Sequence, residues 1–218
     1  MSQTFAVDIV SDVVCPWCYV GKRNFEAARA QMPDVAFEVR WRPYQLDPTI
    51  PEGGVDRKTY MERKFGGKAS GMHDRISQAG ADVGIAFDFR AIRISPNTLN
   101  AHRLIRWAQT TGAQDALVER LFRDYFIEGR DVGNSDVLTA AARDCGMDGD
   151  LVAGLLAGDA DRAAVRDEII EAQNIGVTGV PFFILDGAFA LAGAQPPDVL
   201  VRAINKALSR RARAVETL

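Results

Sequence analysis

The sequence predicts an α/β protein: a β-α-β unit at the start and a β-β-α unit at the end, separated by a long helical stretch. Three observations carry this. Phe5-Ala-Val-Asp-Ile-Val10 is short, apolar and rich in β-branched residues, as strands are. Val35 to Arg42 alternates strictly, with Val35, Phe37, Val39 and Trp41 on one side and Ala36, Glu38, Arg40 and Arg42 on the other. From Asp56 to Asn174 the apolar residues recur at helical spacing, before strand signals return at Val180. With 218 residues, 47% hydrophobic and 25% charged, the chain can bury a sizeable core and gives no case for global disorder. A net charge of −3 gives no reason to expect nucleic acid, and no apolar run approaches the length of a membrane span.

Between the two strands of the first unit, an amphipathic helix is expected with Tyr19, Phe25, Ala28 and Met32 on its apolar side. Pro43 and Pro48 end the second strand, and Pro51-Glu-Gly-Gly54 marks a loop or boundary. Helices follow over Asp56–Phe65, stopped by Gly66-Gly67, and over Ala69–Val83, stopped near Gly84. Ile85-Ala-Phe-Asp-Phe89 is a short apolar connector. Ser95-Pro-Asn-Thr98 signals the start of a helix over Leu99–Thr110. Gln114–Ile127 repeats Leu117, Leu121, Phe122 and Tyr125 at helical spacing. Ser135–Cys145, Asp148–Ala157 and Asp161–Asn174 each open on a favourable N-cap type. Val180–Leu185 and Ala188–Leu191 form a strand pair joined at Asp186-Gly187, a strong tight-turn signal, and Asp198–Leu208 is the last helix.

The chemistry concentrates in Asp12-Val-Val-Cys-Pro-Trp-Cys-Tyr19. Cys15 falls where the first strand hands over to the helix. The first amides of a helix have no partner and the helix dipole is positive there, so an anion is favoured. A thiolate is such an anion and is the reactive form of cysteine. Pro16 suits the first helical position because its missing N–H is not needed there. Cys18, one turn deeper, can attack a mixed disulfide formed at Cys15, so the pair suits thiol–disulfide exchange. A zinc site is the competing use of such a pair. Cys145 has no near partner to complete the close ligand pairs that structural zinc takes, so no metal is expected. The start of the sequence lacks the basic, apolar and small-residue pattern of a secretory leader, so a cytoplasmic location is expected. In that setting a Cys-x-x-Cys in a β-α-β context reads as thioredoxin-like. Residues 1–54 and 175–218 would then form a thioredoxin-like unit, and 55–174 a large all-helical insertion.

Gly176-Val-Thr-Gly-Val-Pro181 precedes the third strand. Pro181 either adopts the cis bond that only X–Pro tolerates and faces Cys15, or simply opens the strand in trans. In the first case the backbone of Val180 would be free to pair with an extended substrate. Among the remaining candidates, Asp12 could cap the active-site helix or accept a proton near Cys18. Asp8 lies within the first strand. Trp17 and Tyr19 could line a peptide-binding surface or cover the dithiol. His102, beside Asn100 and Arg103, could be a satisfied helix-face residue or sit in the cleft. Cys145 is a bystander thiol.

Taken together, Cys15-Pro-Trp-Cys18 with Tyr19-Val-Gly21, and the Gly-Val-Thr-Gly-Val-Pro-Phe-Phe segment ending at Phe183, resemble the DsbA family. Within it the chain is similar to the FrnE-like, polyketide-biosynthesis dithiol–disulfide isomerases. Asn97-Thr98, Ala101-His-Arg-Leu104 and Gly193-Ala-Gln-Pro196 strengthen the match. The resemblance implies a thioredoxin fold with a helical insertion and a cis Pro181. It also implies Cys15 as nucleophile, Cys18 as resolving thiol, and Pro181 as the proline facing substrate, with Pro16, Trp17 and Val180 alongside. Trp17 stands where DsbA itself carries histidine, which argues with the missing leader against a strongly oxidising periplasmic role.

The function expected is therefore thiol–disulfide oxidoreduction or isomerisation on protein, peptide or small-thiol substrates. No bound cofactor is expected, and glutathione enters as a redox partner. The alternative is a glutathione-dependent isomerase or transferase. The architecture also resembles 2-hydroxychromene-2-carboxylate isomerase and kappa-class glutathione transferases, which usually carry serine at the position matching Cys15. A non-catalytic peptide binder is the third reading, and it has no use for a second cysteine.

Overall fold

The computed structural model describes residues 4–66 and 69–216. Strand β1 (Phe5–Ser11) runs into helix α1 (Pro16–Ala30), which leads to β2 (Phe37–Pro43). Strands β5 (Phe182–Leu185) and β6 (Phe189–Ala192) close the sheet, in the order β2-β1-β5-β6. β1 is parallel to β2 and antiparallel to β5, and β6 is antiparallel to β5. This is the sheet of a thioredoxin-like fold, the class the sequence predicts. The alternation of β2 follows its place: Trp41 is buried while Glu38 is exposed. Asp8 stands opposite Arg40 in the parallel ladder, and their side chains pair at 3.2 Å. Asp186 and Gly187 both take positive φ, 51° and 64°, the conformation that Asp and Gly tolerate in a hairpin turn.

Between β2 and β5 lie helices α2 (Arg57–Phe65), α3 (Ala69–Ala81), α4 (Leu99–Thr110), α5 (Gln114–Phe126), α6 (Ser135–Asp144), α7 (Gly149–Ala157) and α8 (Arg162–Asn174). Gly67, expected to help stop α2, lies outside the described residues. Asp56, Asn134 and Asp148 cap α2, α6 and α7, each accepting from backbone N–H groups of the first turn. Asp161 does not. It sits at φ 57° with no capping bond, and its carboxylate accepts instead from Trp107 Nε1 at 2.7 Å and pairs with Arg106. The stretch is not all-helical as expected: a two-residue ladder pairs β3 (Val55–Asp56), just before α2, with β4 (Ile94–Ser95), between α3 and α4, and two residues carry no readable period. The final helix α9 (Pro197–Glu216) outruns the expected end at Leu208 and continues through the basic Arg210–Arg213 segment.

One principal core joins sheet and helices. Phe5, Val7 and Ile9 of β1 meet Phe183 and Leu185 of β5, Phe25 of α1, Leu200 and Ile204 of α9, and Leu117, Leu121 and Phe122 of α5. On the other face of the sheet a smaller cluster gathers Val10, Tyr44, Ala172 and Val177. Helix α1 is tied to α5 by charge as well. Lys22, only 3% exposed, pairs with Glu26, with Glu119 at 3.3 Å and with Asp115 at 3.6 Å. Tyr19 is core, as its place on the apolar side of α1 predicts, and does not line the cleft. Its ring stacks on Phe122 at 4.9 Å and its hydroxyl donates to Glu119 at 2.8 Å.

Candidate functional site

Cys15 is the N-cap residue of α1, extended at φ −94° and ψ 110°, with Pro16 at the first helical position. Its N–H donates to the Asp12 carbonyl at 3.0 Å, and its own carbonyl accepts from Cys18 N–H at 3.0 Å, so a tight turn leads straight into the helix. Both cysteines are free thiols. Their surroundings differ. Cys15 lines a cleft of about 290 Å³, whereas Cys18 lies beneath it, 1% exposed. Burial is the main reason that the Cys18 thiol is pushed well above its ordinary value of 9.0; the adjoining Cys15 pushes the same way, and Ser11 and the Asp12 backbone pull against it. Cys15 is itself only 4% exposed, so a disulfide reaches its sulfur through the cleft, whereas Cys18, which does not line the cleft, can meet only its neighbour.

The segment before β5 closes one side. The Val180–Pro181 bond is cis. Cys15 Sγ donates to the Val180 carbonyl at 3.5 Å, so that carbonyl is already engaged in the reduced protein. Val180 lines the cleft, while Pro181 lies buried behind it with its carbonyl accepting from Gly193 N–H at 2.8 Å. Pro181 packs on Gly21 of α1, where a Cβ would come within 2.9 Å of Pro181 Cγ. The absence of a side chain at Gly21 is what lets helix and proline approach. Pro16 is half-buried, and Trp17, 40% exposed, forms an apolar rim with Leu46, 41% exposed.

Asp12 does not cap α1. Its carboxylate turns away, accepting from Leu46 N–H at 2.8 Å through Oδ2 and placing Oδ1 at 3.4 Å from His102 Nε2. Both residues are buried, at 1% and 3% exposed, and neither Oδ1 nor Nε2 has a hydrogen bond. His102 therefore belongs behind the site, against Asp12, and not to its lining. Cys145 ends α6 away from the cleft, its thiol raised by burial.

The opposite wall of the cleft comes from the helical stretch, and sequence reasoning did not find it. Arg57 and Tyr60 of α2, Met72 and His73 of α3, Phe89 of the connector and Tyr125 of α5 line it. The His73 ring stacks on Phe89 at 4.4 Å between centroids. None of these residues stands in a motif. Each reaches the cleft only because the insertion folds back over the start of α1, which no local spacing reveals.

A curated relative, the uncharacterized protein YwbO of Bacillus subtilis, is 30% identical over 207 residues, 93% of this chain and 97% of its own length. The crystal structure of a probable DsbA oxidoreductase from Streptomyces coelicolor superposes with a TM-score of 0.87 at 34% identity, covering 94% of this chain and 90% of the other. The cytosolic disulfide reductase DsbM from Pseudomonas aeruginosa, solved with glutathione, has the same fold at a TM-score of 0.63 and 19% identity, covering 94% and 99%. The model of the DSBA-like thioredoxin domain matches residues 6–205, nearly the whole length, and on that match the chain belongs to the DSBA-like thioredoxin domain family.

Proposed function

We propose that the protein is a thiol–disulfide oxidoreductase whose dithiol is Cys15 and Cys18. The observation that carries this reading is the unequal placement of the two sulfurs, one at a cleft and one sealed under it. Cys15 as thiolate attacks a substrate disulfide. A Cys15–substrate bond forms, the substrate S–S bond breaks, and one substrate thiolate leaves. Cys18 then attacks Cys15, the second substrate thiolate leaves, and the proton from Cys18 ends on a released thiol. The protein's two thiols have become a disulfide and the substrate disulfide has become two thiols; oxidation of a dithiol is the reverse. Glutathione is the reductant we propose for resetting the pair, in a cytosolic setting like that in the name of DsbM.

The remaining roles follow from position. Val180 and Pro181 orient the substrate beside Cys15, and Pro16 and Trp17 bound its entry. Asp12 and His102, paired behind the site, are the auxiliaries that would take the proton Cys18 gives up. Replacing Cys15 with Ser should abolish insulin reduction and reactivation of scrambled ribonuclease; retention of either at the unmodified rate would overturn the proposal. A glutathione-dependent isomerase would instead bind glutathione tightly without cycling a Cys15–Cys18 disulfide, so counting thiols before and after oxidation separates the two.

A further inference from the structure

We propose that the insertion wall of the cleft is a receptor for a small disulfide with an apolar body and a carboxylate, and that Arg57 and His73 hold the carboxylate. The inference rests on Cys15 exchange chemistry and adds the substrate class. It starts from a charge inventory. Two carboxylates line the cleft, Asp12 and Asp47. Asp12 has the Leu46 amide and His102. Asp47 accepts from Thr49 and from the Tyr60 hydroxyl at 3.1 Å, and it attracts Lys64, which donates to the same hydroxyl. Arg57 is left over. Its Nη1 touches only neutral hydroxyls, Ser95 at 3.3 Å and Tyr125 at 3.5 Å, and among the described residues it pairs with no carboxylate. A half-buried guanidinium without a counterion is a site for an anion, and its planar fork suits a carboxylate.

His73 is the second observation. Its Nε2 is buried and has no hydrogen-bond partner, although buried polar atoms ordinarily find one. Burial, and then the charge of Arg57, keep this imidazole below its ordinary titration range, so at neutral pH it is an uncharged donor or acceptor and adds no repulsion. Around this polar pair the wall is apolar: Met72, Ile76 and Phe89, with Phe65 and Met61 above. A cleft of about 290 Å³ accepts a ligand of aromatic size and not a folded client. Cys15 lines the same cleft, so a disulfide sulfur attached to that apolar body comes within its reach.

The test uses two aromatic disulfide probes, the anionic dithiobis(nitrobenzoate) and the smaller, neutral dithiodipyridine, and reads the change of their rate ratio between variants, in which the fixed difference in size cancels. Rates of thiol release are measured on the full chain in a Cys145→Ser background, which removes the third thiol. Arg57→Ala should slow the anionic probe about tenfold or more relative to the neutral one, as expected for loss of a charge-assisted pair, and Arg57→Lys should recover part of that ratio. Lys58→Ala removes an exposed neighbouring cation and should leave the ratio within about twofold, because exposed charges are screened. Equal slowing of both probes by Arg57→Ala, or an equal change of ratio in Lys58→Ala, overturns the receptor. Reaction of Cys15→Ser with the neutral probe at the unmodified rate would instead overturn the exchange chemistry. Should Arg57→Ala not fold, nitrobenzoate is added to the unmodified protein. Saturable protection of Cys15 against the neutral probe, absent with nitrobenzamide, supports the receptor, and no saturable protection overturns it.

Discussion

The two walls of the cleft are built on different terms. The wall holding Cys15 and Val180, with Pro181 behind it, is continuous with the sheet and the principal core, and its unpartnered polar atoms, Asp12 Oδ1 and His102 Nε2, face each other at 3.4 Å within the protein. The wall from α2, α3 and the connector carries a cation without an anion and an imidazole nitrogen without a partner. Groups that stabilise a fold find partners inside it, whereas groups that recognise something else keep a valence open. On this reading the first wall supplies the reaction, and the open groups of the second, Arg57 and His73, supply selection at little cost to the fold.

The largest effects should fall on the first wall. Phe183→Ala empties a fully buried position where β5 meets α1 and should cost about 3–5 kcal/mol, measured by urea denaturation. His73→Ala on the second wall should cost less than about 1 kcal/mol in the same assay; comparable losses would erase the distinction. Cys18→Ala should keep the first exchange step and lose turnover, leaving a mixed disulfide at Cys15 visible by mass spectrometry. Gly21→Ala should cost about 1–3 kcal/mol despite the better helix propensity of alanine, because its methyl group would press on Pro181, and exchange should slow for anionic and neutral disulfides alike. That uniform slowing contrasts with the selective effect expected at Arg57.

A smaller effect comes from pH. In the folded reduced protein Cys18 keeps its proton at pH values where the unfolded chain gives it up. Its contribution to stability is therefore complete below about pH 9, its ordinary thiol value, and is lost as pH rises from there toward the folded value. The melting temperature of the reduced protein should fall above about pH 9 more steeply than that of Cys18→Ala. The smallest expected change is in His73→Ala exchange with the anionic probe, about threefold.

The difference between the walls also explains what could be read from the residues in order. β1, α1, β2 and the β5–β6 hairpin announce themselves through alternation, Pro16 and the Asp186-Gly187 turn, because those signals are local. The Cys15–Cys18 spacing makes the reacting pair legible for the same reason. The helices of the insertion were legible too, from their caps and their period. What they enclose was not: the β3–β4 ladder is too short to carry a pattern, and Arg57 and His73 become neighbours of Cys15 only through tertiary folding. Asp12 and Asp161 mark the limit of cap reasoning. Each is a good capping type near a helix start, and each spends its carboxylate on a partner distant in sequence, the Leu46 N–H and the Trp107 indole respectively.

Lys22 has a consequence for anyone shortening this protein. It sits one residue before the midpoint of α1, and its ammonium is neutralised by Glu26 of the same helix and by Asp115 and Glu119 of α5. Excising the helical stretch to obtain a minimal redox module would remove two of those three carboxylates together with the cover that α5 gives, and would leave the ammonium to Glu26 of its own helix.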